Sequence, residues 1–224
     1  LMRAGVRRVN VSLDSLDPAN FTEITRRGDL SKVLNGIDAA LEAGLRIKIN
    51  TVALRHQNAA EIPDMVEWAH ARGMDMTLIE VMPLGDTGED RIDQYIPLPM
   101  VRDGLETRWT LTEETSRDPI AGPSRYVRVT ETGGRLGFIT PLTNNFCAGC
   151  NRVRVTCTGR IYMCLGQDDH VDLRAALREA EDPAVALDAA LDKALFAKPE
   201  KHDFEIKRRG SAPALPRHMS TTGG

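Results

Sequence analysis

No cysteine occurs before position 147 in this 224-residue chain, and all four lie between Cys147 and Cys164. That confinement excludes a disulfide framework stapling the whole fold, and thiols gathered in one stretch point to a metal centre instead. Charge of one sign is also lacking. Lys and Arg total 29 against 32 Asp and Glu, for a net charge of −3. There is no basic excess for a general nucleic-acid binder and no acidic block for a disordered tail. No apolar run approaches the roughly 18 residues of a membrane span, and no signal-peptide pattern opens the chain. The reading is a cytoplasmic protein with no nucleic-acid and no membrane partner. An initiator methionine is missing too. LMRAGVRRVNVSLD reads as the end of a helix running into a strand, which predicts further elements upstream.

What is present is ordinary globular composition, 42% hydrophobic and 27% charged. The first eighty residues alternate strand and helix. GVRRVNVSL puts Val9, Val11 and Leu13 on one face and Asn10 and Ser12 on the other. DPANFTEITRR predicts a short helix opened by Asp17 with Pro18 at its first position. Ser31 is a candidate cap for a helix carrying Val33, Leu34, Ile37 and Leu41 and stopped by Gly44. RIKINTVAL is the next strand, Pro63 to Arg72 a helix ended by Gly73, and MDMTLIEVM a third strand. This order predicts an α/β fold with a parallel sheet. Polar residues interrupt the strands: Asn10 with Ser12, Lys48 with Asn50, and Glu80 with Met82. They predict a partly polar sheet surface near the strands' C-terminal ends, where active sites of α/β barrels sit. After a Gly/Pro/Asp-rich loop, a helix is expected over Pro99–Trp109 and a hairpin turning at Thr132-Gly133-Gly134. A second turn falls at Thr158-Gly159, and helices follow near 171–179 and 183–196.

Cys147 and Cys150 are spaced C-x2-C, so one tight turn can present two thiolates to one centre, with Cys157 and Cys164 further on. Zinc would need a fourth ligand, Cys157 or a histidine. An iron–sulfur cube normally takes four cysteines and leaves an iron open when it has three. Spacing alone leaves both readings standing. Arg152 and Arg154 share a strand face beside these cysteines, either as solvated surface charge or as an anion seat. Lys48 within IKINTVAL needs a partner, a polar cavity or a route to the strand's end. Ser12-x-Asp14 fits a cap as well as a ligand contact, Met82 fits core filling, and the terminal Gly223-Gly224 is thin enough to thread a narrow cavity.

RVNVSLDSLD, KINTV, LIEVMPLG, GFITPLTNNFCAGCNRVRV, the Cys164-Leu165 pair and the final Gly-Gly together resemble the MoaA family of radical-SAM GTP 3′,8-cyclases of molybdenum cofactor biosynthesis. The resemblance runs over nearly the whole chain. It implies the later units of a partial (β/α) radical-SAM, TIM-like barrel over 1–97. A C-terminal α+β region over 98–224 would then carry an iron–sulfur site, the GTP site and the Gly-Gly tail. Family members use two [4Fe-4S] clusters. The first, held by C-x3-C-x2-C, cleaves S-adenosylmethionine (SAM) to a 5′-deoxyadenosyl radical; that motif is absent here, so the first cluster is expected only in a full-length protein. The resemblance makes Cys147, Cys150 and Cys164 ligands of the second cluster and Lys48, Arg152, Val153 and Arg154 contacts to GTP. It makes Ser12 and Met82 SAM contacts, and Gly223 and Gly224 a tail entering the site. It leaves room for a homodimer. Cys157 lies outside the family pattern, Thr77 stands where many relatives have arginine, and Thr222 where an apolar residue is common. A structural module stabilised by zinc on all four cysteines and a radical-SAM maturase of another substrate are the alternatives.

Overall fold

The computed structural model describes residues 1–85, 93–114, 124–144, 147, 150–202, 204 and 214–222. They fall into two compact units, Leu1–Val81 with Asp93–Asn144, and Met82–Ile92 with Asn145–Gly224.

The first unit is an α/β layer. Its elements in chain order are β1 (Arg8–Ser12), α1 (Pro18–Thr25), α2 (Leu30–Glu42), β2 (Arg46–Ala53), α3 (Ile62–Ala71) and β3 (Asp75–Glu80). Then come α4 (Leu98–Glu106), β4 (Leu111–Glu113), β5 (Arg125–Val129) and β6 (Arg135–Ile139). Local chemistry explains most boundaries. Asp17 accepts from the Asn20 amide at 2.8 Å and Pro18 opens α1. The α2 cap is Asp29 rather than the expected Ser31. Asp29 takes the Lys32 amide, and Ser31 donates to Asp29 Oδ1 at 2.6 Å. The helix thus begins with buried Leu30. Gly44 and Gly73, with φ of 81° and 70°, let the chain leave α2 and α3 in the left-handed region.

The strands order as β1-β2-β3-β6-β5-β4. β1, β2 and β3 are parallel as expected, and β6 joins β3 as a fourth parallel strand. The predicted hairpin is present as β5–β6, but it extends this sheet instead of standing apart. The segment from α4 to β6, assigned on sequence to the region beyond 97, therefore packs in the first unit.

Register separates two faces. One carries Ile47, Ile49, Ala53, Met76, Leu78, Leu136, Phe138, Val127 and Val129, all in the buried core with Ile37 of α2, Met65 and Val66 of α3 and Leu98 and Leu105 of α4. The other carries Asn10, Ser12, Lys48, Asn50, Asp75, Thr77, Gly137 and Tyr126. Glu80 does not belong to that polar face. It is level with Ala53 on the core side and only 1% exposed. Its carboxylate accepts from the Leu98 amide that opens α4, from the Leu142 and Thr143 amides and from the Thr143 hydroxyl. Burial, with Glu80 nearby, pushes the Tyr95 phenol up to about 12.

His70, buried at the end of α3, pairs its Nδ1 with Thr132 Oγ1 (2.7 Å) and donates from Nε2 to the Arg135 carbonyl (3.1 Å), an arrangement the neutral ring can satisfy with Nδ1 accepting from the hydroxyl. Burial pushes its pKa below the ordinary 6.5, against the Arg135 carbonyl and Asp75, which favour the cation. The unfolded chain therefore binds more protons than the folded one between those two values, and stability rises with pH there. The contribution is complete above about pH 6.5 and is lost as pH falls toward the lower folded value. Thermal melts from about pH 5 to 8 are expected to show that acid-side loss, and His70→Asn to flatten it.

The second unit holds a three-stranded antiparallel sheet, β7 (Arg154–Val155), β8 (Arg160–Tyr162) and β9 (His170–Asp172), followed by α5 (Leu173–Glu179) and α6 (Pro183–Phe196). Asp172 and Asp182 cap the two helices through the Ala175 amide and through those of Ala184 and Val185. Its small core is Ile161, Met163 and Ala194 with Val171, Leu173 and Leu191. Residues 214–215 are tied to 83–85 by the Ala214 amide on the Pro83 carbonyl and the Gly85 amide on the Leu215 carbonyl. Among the described residues, no helix is long and apolar enough to cross a membrane.

Candidate functional site

In the second unit the C-x2-C turn is closed by the Cys150 amide donating to the Cys147 carbonyl at 3.0 Å. The β7–β8 hairpin turns at Gly159, with φ of 81°, and brings the chain back to Cys164. All four cysteines are free thiols. The Cys164 sulfur accepts from the Gly166 amide at 3.4 Å. Burial pushes its thiol up; the Cys147 and Cys150 sulfurs add to that, while the Gly166 amide and the Lys198 ammonium oppose it. These three sulfurs thus share one electrostatic environment. Cys157 does not join them. It is exposed at the tip of the hairpin, whereas Cys164 lies beyond its open end. At about 3.4 Å per strand residue that separation is roughly 10 Å or more, too far to share a mononuclear tetrahedral site. The four-cysteine zinc module is thereby overturned by the hairpin's geometry.

Among the described residues, no three His, Cys, Asp or Glu side chains converge tightly enough to grip a single metal ion. A donor set of three soft thiols with one backbone N–H on sulfur and cations alongside fits a larger, anionic iron–sulfur centre.

Arg154 on β7 is partly buried, and Arg152 and Val153 just before it are exposed. Burial lowers the Arg154 pKa, and the guanidinium charges of Arg152 and Arg217 lower it further, against opposing contributions from Cys150 and Cys164. No carboxylate lies within salt-bridge distance of Arg152 or Arg154 among the described residues. Cations crowded and unpaired in this way favour negative charge beside them. Val153 offers the site no polar side chain.

Two supports escaped the sequence reading. Lys198, just past α6, donates to the Arg152 carbonyl (2.8 Å) and the Met163 carbonyl (2.6 Å), clamping the hairpin's open end. Arg217 stacks over Tyr162, 4.1 Å from the ring centroid to Cζ, and donates to Asp168 and to the Leu165 and Gln167 carbonyls, pinning the loop after Cys164. Neither residue stands in a periodic or spaced pattern, so no local signal marks it. Thr222 is buried and donates to the Met219 carbonyl. Gly223 and Gly224 lie outside the described residues.

In the first unit, Lys48 finds its partner across the sheet: its Nζ lies 3.4 Å from the Tyr126 hydroxyl. Asp75, level with Lys48 on β3, instead meets Arg135 at 3.4 Å. Ser12 is exposed at the end of β1, an edge strand. The neighbouring Asp14 ties the ends of β1 and β2 together. Its Oδ1 accepts the Val52 amide at 2.8 Å, and its carbonyl accepts from Asn58. Met82 falls in the second unit, half-buried.

Residues 74–204 match the family model described as Molybdenum Cofactor Synthesis C, and residues 1–93 that of the Radical SAM superfamily. The two matches overlap over residues 74–93, and spatial contact groups 93–144 with the first unit. The chain is 61% identical over its full length to a GTP 3′,8-cyclase of Rhizobium etli (strain CIAT 652), covering 64% of that protein. It is 62% identical over 99% of its length to one of Erythrobacter litoralis, covering 65%, and 60% identical over its full length to one of Rhodopseudomonas palustris, covering 64%. It thus spans just under two thirds of the relatives it matches. Matching that model over more than half of its residues, the chain belongs to the molybdenum cofactor synthesis C family and carries a radical SAM region at its start.

Proposed function

We propose that this chain forms the nucleotide-seating and second-cluster part of a cytoplasmic GTP 3′,8-cyclase. The enzyme converts GTP, with a SAM-derived 5′-deoxyadenosyl radical, to 3′,8-cyclo-7,8-dihydro-GTP for molybdenum cofactor biosynthesis. The observation that carries the reading is the pair Arg152 and Arg154, like charges two residues apart directly after Cys150, with no carboxylate within salt-bridge distance of either among the described residues. An anion bound there relieves the repulsion, and a triphosphate supplies more charge than any peptide carboxylate. Cys147, Cys150 and Cys164 would hold a [4Fe-4S] cluster, which would supply Lewis-acidic iron to a donor atom of the guanine base. Arg152 and Arg154 take the phosphates. Lys198 and Arg217 position them by fixing the backbone on either side of Cys164. In the first unit Lys48 contributes a further cation to the nucleotide, and Ser12 is a SAM contact, as is Met82 in the second. The names of the relatives support the reaction, and the free thiols suit a reducing compartment.

Arg154→Ala removes charge-assisted bonds worth about 1.5–3 kcal/mol each, so GTP affinity should fall on the order of 10- to 100-fold with iron content unchanged. Calorimetric titration of the cluster-loaded protein checks this. Wild-type affinity in the variant refutes the substrate assignment.

A further inference from the structure

One row of residues crosses the first unit's sheet on its polar face: Ser12, Asn50, Thr77, Gly137 and Tyr126, each level with the next. The gap in the row is Gly137. A methyl group there would lie 2.2 Å from Ser124 Oγ, 2.8 Å from the Tyr126 ring and 2.9 Å from Thr77 Oγ1. The missing side chain therefore lets two hydroxyls and a phenol gather over one backbone position. Thr77 is fully buried, yet its Oγ1 has no hydrogen-bond partner in good geometry; nor do Ser124 Oγ and Asn50 Oδ1. Thr77 and Ser124 thus reach only the crowded Tyr126 phenol, in poor geometry, and three buried polar atoms so poorly satisfied are costly unless something outside the protein completes their bonds. Lys48 stands over the same row and reaches the Tyr126 hydroxyl. Arg135 lies over the Tyr126 ring at 4.3 Å, but Glu114 and Asp75 neutralise it. The uncompensated charge is the lysine's.

Every side chain here can donate: the ammonium, three hydroxyls and, after a half-turn of its carboxamide, Asn50. No carboxylate reaches Lys48 among the described residues. A cluster of donors around one such cation suits anionic oxygen.

We propose that Tyr126, Thr77 and Ser124 form with Lys48 a seat for phosphoryl oxygens of the nucleotide, Tyr126 being a substrate-binding residue. The proposal rests on the GTP reading above and adds Tyr126, Thr77 and Ser124 to the site. The phenol supports it. Burial raises its pKa, but the Lys48 charge and the nearby Thr77, Ser124 and Lys48 donors outweigh burial, so the net shift is downward. A hydroxyl polarised in this way is a strong hydrogen-bond donor to phosphate.

The test uses the cluster-loaded protein and three probes: GTP, guanosine and inorganic tripolyphosphate. Tyr126→Phe keeps the ring, and Thr77→Val keeps the shape. Each should weaken GTP and tripolyphosphate binding about 3- to 10-fold, as the loss of one hydrogen bond does, and leave guanosine binding unchanged. Unchanged GTP affinity in both variants, with a loss in Arg154→Ala, overturns the seat and leaves the function standing. Equal losses for GTP and guanosine overturn the phosphoryl assignment. A loss in Tyr126→Phe with none in Arg154→Ala upholds the seat and refutes the guanidinium site instead. GTP binding that none of the three variants alters refutes both.

Discussion

Protein carrying Cys164→Ala, reconstituted anaerobically with iron and sulfide, is expected to retain little of the roughly four irons per chain that a cube supplies, whereas Cys157→Ser retains them all. The contrast follows from the hairpin. Cys164 stands beyond the open end of β7–β8, where its sulfur takes the Gly166 amide and feels the charges of Cys147 and Cys150. Cys157 sits at the turn, exposed to solvent. Two thiols on one short turn do not hold a cluster that a third has anchored to the sheet, so the loss should be nearly complete. Iron and sulfide analysis with the visible spectrum near 400 nm measures both variants. Iron lost equally from Cys157→Ser would refute the three-cysteine set.

Glu80→Ala should be the most destabilising single change in the first unit. The carboxylate receives three backbone amides and the Thr143 hydroxyl, so truncation orphans the start of α4 and the turn at 142–143 together. Each buried donor left unpaired costs about 1–3 kcal/mol, which puts the total at roughly 3 kcal/mol or more after relaxation. Glu80→Gln keeps the shape but turns one accepting oxygen into a donor facing N–H groups, and should lose about half as much. Urea titration followed by circular dichroism gives both values. A loss below about 1 kcal/mol in the alanine variant would show that the turn finds its hydrogen bonds elsewhere.

Glu80 also shows where reading a sequence by alternation stops. Placing it with Met82 on a shared polar face ignored which face of β3 is level with Lys48 and Asn50. Register answers that: Asp75 and Thr77 lie on their face, and Glu80 lies on the other. Alternation says that two faces differ, but a neighbouring strand is needed to say which residues share one. Ser31 failed as a cap for a similar reason, since Asp29 two residues earlier offered the better acceptor and took the serine hydroxyl as well.

The chain's linear order alone determined the alternation of strands and helices, most of their ends, the two hairpin turns and the gathering of thiols and arginines in one segment. Those features rest on contacts between residues a few positions apart, where spacing is geometry. Tertiary structure alone decided that β6 lies parallel to β3, that Cys157 stays away from the other thiols, and that Lys198 and Arg217 brace the loop around Cys164. It also decided that Tyr126 meets Lys48, 78 positions away. Partners so distant along the chain share no period or spacing, and only the assembly of the sheet and the packing of each unit bring them together.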